Sequence, residues 1–463
     1  MTRPNGGVRS RWQAASDVLR TQLWPVPVAA IVAAVALGVA LPELDARLVH
    51  RLPDRLTGYL FGGGPESARS VLQAVAGSLI TVTSLTFSLT VVTLQLASSQ
   101  YSPRLLRTFA RDRMVHATLA VLLGTFTFAL AVLRTVRTEF DADPAFVPRL
   151  SVTAASLLAL VSVVALVAFL AHLARQIRVE SMLRDVHAES SATIRRVLAV
   201  RPPDRAQEPV ALPPGPGTPV CGTRSGFLTS VDERRLLAAA QDADALVRID
   251  RVPGDSLVAG TPVATAWARR GGPVDDDTRA TLTERIAGAV RTGFERTSGQ
   301  DVAFGLRQLV DVAVKALSPA VNDPTTAVHA LGHAAALLVE AAGRDLGPRL
   351  LRDGAGQVRV VLCRPDLPAL LRLAVDQPLR YGVGDPQVLA RLLMLLREVA
   401  WVARDDGQRR AVTDQLARVR AQLDRHGPDE PVRHELHALA DRVAEALHGR
   451  WPHGDEHRLA MTR

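Results

Sequence analysis

The sequence predicts an α-helical polytopic membrane domain of four transmembrane helices, followed by a cytoplasmic α+β domain with a small β module and a helical C-terminal part. Four uncharged apolar stretches near the N-terminus and an Arg-rich remainder predict this division. Each stretch has about the 20 apolar residues that a spanning helix needs. The expected segments are a tail (1–23), the four spans (24–173), a helical extension with a Pro-rich linker (174–219), the β module (220–272), the helical part (273–449) and a disordered tail (450–463).

The four predicted spans are Trp24–Leu41, Val71–Ala97, Val115–Leu133 and Leu150–Leu173. None of them contains Asp, Glu, Lys or Arg, which argues against a proton-coupled transporter, because proton relays usually need charged groups inside the membrane. No small-residue cleavage site follows the first stretch closely, so we expect a retained anchor and not a signal peptide.

The arginines around these stretches predict the orientation. The N-terminal tail has four arginines, and the connector 98–114 has four against one aspartate. The other two connectors carry several acidic residues. By the positive-inside rule, we expect both termini on the cytoplasmic side of the plasma membrane.

Composition argues against other functional classes. The net charge of +9 could suggest nucleic-acid binding. However, aromatic residues are only 4% of the chain, and no motif alternates basic with aromatic residues, so we expect no nucleic-acid partner. The arginines crowd the ends of the apolar stretches, which is typical of contact with a lipid bilayer. Cys221 and Cys363 stand far apart without metal-ligand spacing, so we expect neither a disulfide nor a zinc site.

Hydroxyl residues are dense in the second span. Thr83, Thr86, Thr90 and Thr93 lie at offsets of three, seven and ten, so they share one helix face. One hypothesis is that this face lines a hydrated pore in a homo-oligomer, because hydroxyls can replace part of an ion's water shell. The alternative is close helix packing, in which small residues let backbones approach.

The connector after the second span is basic. Ser102 and Pro103 have the pattern of a helix start, and Arg104, Arg107 and Arg111 follow on one face. These arginines either fix the topology by lying among lipid phosphates or make a specific contact with an anionic lipid.

The second half of the chain predicts short strands and helices around a turn at Pro253–Gly260, and then helices. The expected strands are Ser225–Asp232, Leu246–Ile249, Pro262–Trp267 and Gln357–Cys363. The expected helices are Glu233–Ala243, two amphipathic segments from Asp275 onward that Glu295–Asp301 interrupts, Thr325–Ala342 and three more after the last strand.

The start of the helix at Thr325 has a clear signal. Asp323 is a good N-cap and Pro324 a good first residue, so capping is a sufficient explanation for this acidic residue. His329 and His333 have the i,i+4 spacing that can bind a metal. However, the glutamate of the His-Glu-x-x-His motif is missing, and only Glu340 could share their face. We therefore expect no metal.

Neither a nucleophile elbow nor a P-loop nor a dinucleotide-binding glycine fingerprint occurs in the sequence. We therefore expect a protein that is not an enzyme and that has no cofactor.

Three separated segments carry a resemblance to one family. They are Ser99–Arg107 with Ser102, Pro103 and Arg104; Glu295–Thr297 with Gln300 and Asp301; and Ala316–Pro324 with Ser318, Pro319, Asn322, Asp323 and Pro324. In this order they resemble the bacterial predicted membrane protein family called domain of unknown function 2254. The resemblance covers nearly the whole chain and implies four spans and a soluble tail, but it does not supply an activity.

Two functional hypotheses follow from the sequence. The first is a homo-oligomeric channel or pore-like protein, with the second span facing the axis and a cytoplasmic regulatory domain. The second is a non-conducting, membrane-anchored sensor or scaffold, whose spans only pack and whose tail binds a cytoplasmic protein partner.

Overall fold

The computed structural model describes residues 24–48, 60–100, 112–137, 146–176, 179–201 and 210–451. The chain divides into two compact units, residues 1–178 and 179–463. The first is called the membrane unit below, and the second the C-terminal unit.

The membrane unit contains four long helices, and each is long and apolar enough to cross a membrane. They are α1 (Pro25–Leu48), α2 (Pro65–Gln100), α3 (Arg113–Leu133) and α4 (Arg149–Gln176). The four predicted spans are thereby confirmed as helices. The first is longer than predicted, because α1 continues through Pro42 to Leu48 instead of ending at Leu41.

Helix α3 is the central helix of the membrane unit and contacts each of the other three. Small residues lie where α1 packs against α3. A Cβ atom added at Gly38 would lie 2.4 Å from the Cβ atom of Ala131, and one added at Gly124 would lie 3.7 Å from that of Ala30. Small residues at helix interfaces are typical of membrane helix packing, because they let the backbones approach.

Polar contacts join the helix ends. Asp45 of α1 is buried, and its Oδ2 accepts hydrogen bonds from the Ser151 backbone N–H at 3.2 Å and from the Ser151 hydroxyl at 3.4 Å. At the other end of the helices, Asp112 caps α3 through the Met114 N–H and lies 2.6 Å from Nε2 of His172. These contacts supply partners to backbone groups that a helix terminus leaves unpaired.

The C-terminal unit begins with helix α5 (Val179–Val197) and contains two sheets. The first has the strand order β1-β5-β3-β8-β7, and the second has the order β4-β2-β6. The strands are β1 (Thr218–Cys221), β2 (Gly226–Val231), β3 (Ala245–Ile249), β4 (Ser256–Leu257), β5 (Pro262–Ala268), β6 (Val290–Gly293), β7 (Arg349–Arg352) and β8 (Val358–Leu362). Strands β3 and β8 pair in parallel, and the other pairs in these sheets are antiparallel.

The first sheet extends beyond the predicted β module of 220–272. Strands β7 and β8 come from 349–362, and β8 pairs with β3 in the interior of the sheet. The core beneath the strands includes Val247 and Val360 from the parallel pair, together with Leu282 and Ile286 from a covering helix.

Eight further helices complete the C-terminal unit as described. They are α6 (Glu233–Asp242), α7 (Asp276–Ala289), α8 (Phe304–Ala316), α9 (Pro324–Ala342), α10 (Leu367–Gly382), α11 (Pro386–Val402), α12 (Asp406–His426) and α13 (Glu430–Leu447). Four helices follow β8, whereas the sequence predicted three, because Pro428 separates α12 from α13.

Candidate functional site

A cavity of about 380 Å³ lies where the parallel strands β3 and β8 end. The two chain segments stay together past the strand ends, since the Cys363 N–H donates to the Ile249 carbonyl at 3.2 Å. The carboxyl ends of parallel strands are a frequent ligand position in α/β sheets, because the following loops diverge there.

The lining of the cavity is rich in arginine. It contains four arginines, one glutamate and one cysteine: Arg196, Arg251, Arg349, Arg364, Glu233 and Cys363. Four arginines against one glutamate give these side chains a formal charge of +3. The apolar part of the wall includes Val231, Ile249, Val302 and Leu362. The cavity therefore combines strong positive charge with an apolar surface.

Glu233 holds two of the arginines. Its Oε2 lies 2.9 Å from Nη2 of Arg349, and its Oε1 lies 3.4 Å from Nη2 of Arg364. The side chain of Arg364 is only 13% exposed. Burial and the nearby Arg349 charge lower the pKa of Arg364, but an arginine remains protonated in a protein.

The other two arginines differ in their engagement. Arg196 lies in the last turn of α5, and its Nη2 donates to the carbonyl of Gly299 at 2.9 Å and to that of Ser298 at 3.3 Å. Arg251 is exposed and has no hydrogen-bond or ion-pair partner among the residues that the structure describes. Arg251 is thus the lining cation with the most unused donor capacity.

The loop at Glu295–Asp301 forms another wall, and it is one of the three segments that carried the family resemblance. Gln300 binds the backbone of Val231 at both ends of its amide: its Oε1 accepts from the N–H at 2.8 Å, and its Nε2 donates to the carbonyl at 3.2 Å. Arg296 donates to the buried carboxylate of Asp301. These bonds hold Gly299 and Gln300 at the cavity.

Two further ionisable groups at or near the cavity, besides Arg364, have pKa values displaced by burial. Burial raises the pKa of Asp301, against the opposing effect of the Arg296 charge. Burial also raises the pKa of the Cys363 thiol, and the charge of Asp250 adds to this effect. Cys363 is therefore held as the neutral thiol, which is the less nucleophilic form.

The threonine face of α2 lies inside the membrane unit. Thr83, Thr86 and Thr93 are buried, and Thr90 is half-buried. Each hydroxyl donates to the carbonyl four residues earlier, at distances of 2.7 to 2.8 Å. The hydroxyl groups thus have hydrogen-bond partners within their own helix. Their predicted role as a pore lining stays a prediction.

The candidate lipid contact at Arg104, Arg107 and Arg111 lies outside the described residues, and so do Ser102 and Pro103 of the same motif. Both predictions for this connector therefore remain open.

The motif Ser318–Pro324 forms the corner between α8 and α9. Asn322 has a φ of 49°, a left-handed conformation that asparagine tolerates, and its N–H donates to the Ser318 carbonyl at 2.9 Å. Asp323 caps α9 by accepting from the Thr326 N–H at 3.1 Å, and Pro324 is the first residue of that helix. The predicted cap at Asp323 and the proline start at Pro324 are confirmed.

The histidines of α9 lie apart from the cavity lining. His333 packs against His187 of α5 with ring centroids 5.2 Å apart, whereas His329 is exposed. Glu340, which the sequence placed on their face, accepts from the Ser191 hydroxyl at 2.6 Å and from Nε of Arg195 at 2.7 Å. This carboxylate therefore joins α9 to α5. Among the described residues, no three His, Cys, Asp or Glu side chains come together as a metal site would require.

Sequence reasoning missed the arginines of the cavity. They lie on four separate segments, and no local motif connects them. A usable signal was present, since Arg251 and Arg364 each lie two residues past the observed end of a strand, β3 and β8, that the sequence predicted. The sequence does not show, however, that these two strands pair in parallel, and only that pairing brings the two arginines together.

Comparison with known proteins gives the family. The family model described as "Predicted membrane protein (DUF2254)" matches residues 20–398. An uncharacterised protein of Mycobacterium bovis is 35% identical over 446 residues, which cover 95% of this chain and 83% of the relative. An uncharacterised protein of Mycobacterium tuberculosis has the same identity and coverage. No solved structure matches the chain significantly. As its motifs predicted, the chain belongs to this DUF2254 family of membrane proteins.

Proposed function

We propose that the protein is a membrane-anchored sensor whose C-terminal unit binds a small anionic solute in the arginine-lined cavity. The observation that carries this proposal is the presence of four arginines around a cavity of about 380 Å³. Guanidinium groups match the geometry of carboxylates and phosphates, to which they can donate two parallel hydrogen bonds. The volume lies in the range of about 300 to 1,000 Å³ that is usual for small-molecule sites.

The connectivity of the chain supports a sensing role. Arg196 of the lining lies in the last turn of α5, and only residues 177 and 178 separate α5 from the last residue of α4. In this proposal, a bound anion competes with the carbonyls of Ser298 and Gly299 for Arg196 and so changes the position of α5. Because α5 follows α4 so closely in the chain, the change in the position of α5 is passed to the membrane unit in this proposal.

The location and partners in this proposal follow the sequence. The arginine distribution favours a cytoplasmic C-terminal unit, which would meet a cytosolic solute and could present a surface to a cytoplasmic protein partner. Homo-oligomerisation remains a prediction.

The proposal is tested by thermal unfolding of the full-length protein in detergent. Inorganic pyrophosphate is compared with sodium chloride at equal ionic strength. Saturation at 100 times Kd should stabilise the C-terminal unit by about 2.7 kcal/mol. Arg364→Gln should remove this increment. Arg279→Gln should keep it, because Arg279 is a half-exposed helix residue that does not line the cavity. Unchanged unfolding temperatures with pyrophosphate, phosphate and citrate would contradict the proposal.

The homo-oligomeric channel is the second candidate, and the density of hydroxyl residues in α2 favours it. Its support is weaker, because four threonine hydroxyls donate to carbonyls of their own helix. Planar-bilayer recording of the purified protein separates the candidates. Reproducible single-channel steps that change in Thr86→Val would favour the channel, whereas silence across ions and voltages would favour the sensor.

A further inference from the structure

We infer that the cavity selects a small polyanion, with at least two negative charges on one solute, and that Glu233 sets this requirement. The inference rests on the proposed function and names the ligand class of the same site.

Glu233 already occupies an anion position. Its two carboxylate oxygens lie 2.9 Å from Arg349 and 3.4 Å from Arg364, so each oxygen serves one guanidinium group. Glu233 is also the first residue of α6, whose N-cap Asp232 accepts from the Arg235 N–H at 3.2 Å. The carboxylate is therefore presented to both arginines from a fixed backbone position. A ligand anion that binds Arg349 and Arg364 competes with it.

This competition disfavours monoanions. A tethered carboxylate acts at a high effective concentration, so a free carboxylate that replaces it exchanges one ion pair for an equivalent one at an entropic disadvantage. A solute with a second negative charge gains a contact that Glu233 does not make, because Arg251 has no partner among the described residues of the C-terminal unit. In addition, a single negative charge neutralises only part of the formal charge of +3 on the lining.

The size and the apolar wall narrow the class further. A volume of about 380 Å³ accommodates a small solute, and not a polymer segment. Val231, Ile249 and Leu362 offer an apolar surface to a short carbon skeleton. Small phosphorylated or polycarboxylate solutes share this chemistry. Pyrophosphate and citrate serve as probes that distinguish these two sources.

Isothermal titration calorimetry of the full-length protein in detergent tests the inference at constant pH and ionic strength. Acetate, inorganic phosphate, pyrophosphate and citrate are titrated into the wild type, Glu233→Gln, Arg251→Gln and the control Arg279→Gln. The wild type should bind pyrophosphate or citrate and should not bind acetate. Glu233→Gln should bind the same polyanion with an affinity at least about tenfold higher, because the Glu233 carboxylate no longer competes for the arginines. Arg251→Gln, at an exposed position that should not impair folding, should bind it about tenfold more weakly.

The possible failures are distinguishable. If no anion binds to the wild type or to Glu233→Gln, both the proposed function and the inference are overturned. The polyanion could bind to the wild type without a higher affinity in Glu233→Gln or without a lower affinity in Arg251→Gln. In that case the anion site stands and the role of Glu233 is overturned. Equal binding of acetate and pyrophosphate by the wild type would also overturn the selectivity for polyanions.

Discussion

The carboxylate of Asp301 accepts two hydrogen bonds from Arg296, one from Nε at 2.9 Å and one from Nη2 at 2.6 Å, both at Oδ2. Asp301 is only 3% exposed. The pair also lies directly against Gly254, in the turn that follows β3. It therefore joins two walls of the cavity, the loop at Glu295–Asp301 and the turn that contains Pro253.

Asp301→Asn should destabilise the C-terminal unit by about 3 kcal/mol, because removing one partner of a buried ion pair leaves the other partner's charge poorly compensated. The loss would be measured by urea unfolding of the full-length protein in detergent, followed by tryptophan fluorescence. Asp414→Asn is the matched control, since Asp414 is an exposed residue of α12. Equal stabilities of the two variants would show that the Arg296–Asp301 pair does not support the fold.

Gly254→Ala should be much more destabilising than Gly260→Ala. Both glycines have positive φ angles, 101° and 83°, so both substitutions strain the backbone. A Cβ atom at Gly254 would also lie 2.2 Å from Oδ2 of Asp301, whereas a Cβ atom at Gly260 would meet open space. The difference in unfolding free energy should be about 2 kcal/mol, a typical cost of overpacking. A similar loss in both variants would mean that only the positive φ matters.

The four spans could be predicted because an uncharged stretch of this length in hydrocarbon must pair its backbone hydrogen-bonding groups internally, and a helix does so. The third span, predicted as Val115–Leu133, is the helix Arg113–Leu133. The end of the first span could not be predicted in the same way. The first span was predicted to end at Leu41, but α1 continues to Leu48, and within that extension Asp45 accepts hydrogen bonds from Ser151 at the start of α4, a contact between residues far apart in sequence.

The cavity was beyond prediction because it depends on contacts between residues that are far apart in sequence. The strands around Ile249 and Leu362 were both predicted, but no pattern in the sequence indicates that they pair in parallel. The ion pairs from Glu233 to Arg349 and Arg364 span more than a hundred residues. By contrast, the corner at Asp323 was predictable because a helix cap is a local interaction.

The stability of the C-terminal unit should decrease in mild acid through His333. Burial lowers the pKa of His333 below its usual value of 6.5, and the charges of His187 and His329 add to this effect. Because the unfolded state then binds the proton more readily, the contribution of His333 is complete above pH 6.5 and is lost as pH falls through 6.5 toward the folded-state pKa. Thermal unfolding between pH 7.5 and 5 should show a smaller slope for His333→Asn. His434→Asn, at an exposed position of α13, should keep the wild-type slope. Identical slopes in all three proteins would contradict the prediction.

Gly38→Ala should weaken the membrane unit, because the new Cβ atom would lie 2.4 Å from the Cβ atom of Ala131 on α3. Helices α1 and α3 would have to move apart, at a cost of about 1 to 3 kcal/mol. The measurement is the fraction of protein that remains monodisperse in size-exclusion chromatography after heating in detergent.

The matched control for this prediction is Gly77→Ala in α2, where an added Cβ atom meets no other atom within 4 Å. This variant should be neutral or slightly more stable, because alanine is the better helix former. The double variant Gly38→Ala with Ala131→Gly should recover most of the loss, since it removes the atom with which the new methyl group collides. If Gly38→Ala and Gly77→Ala behave alike, or if Ala131→Gly restores nothing, the close approach of α1 and α3 at this position does not determine the stability of the membrane unit.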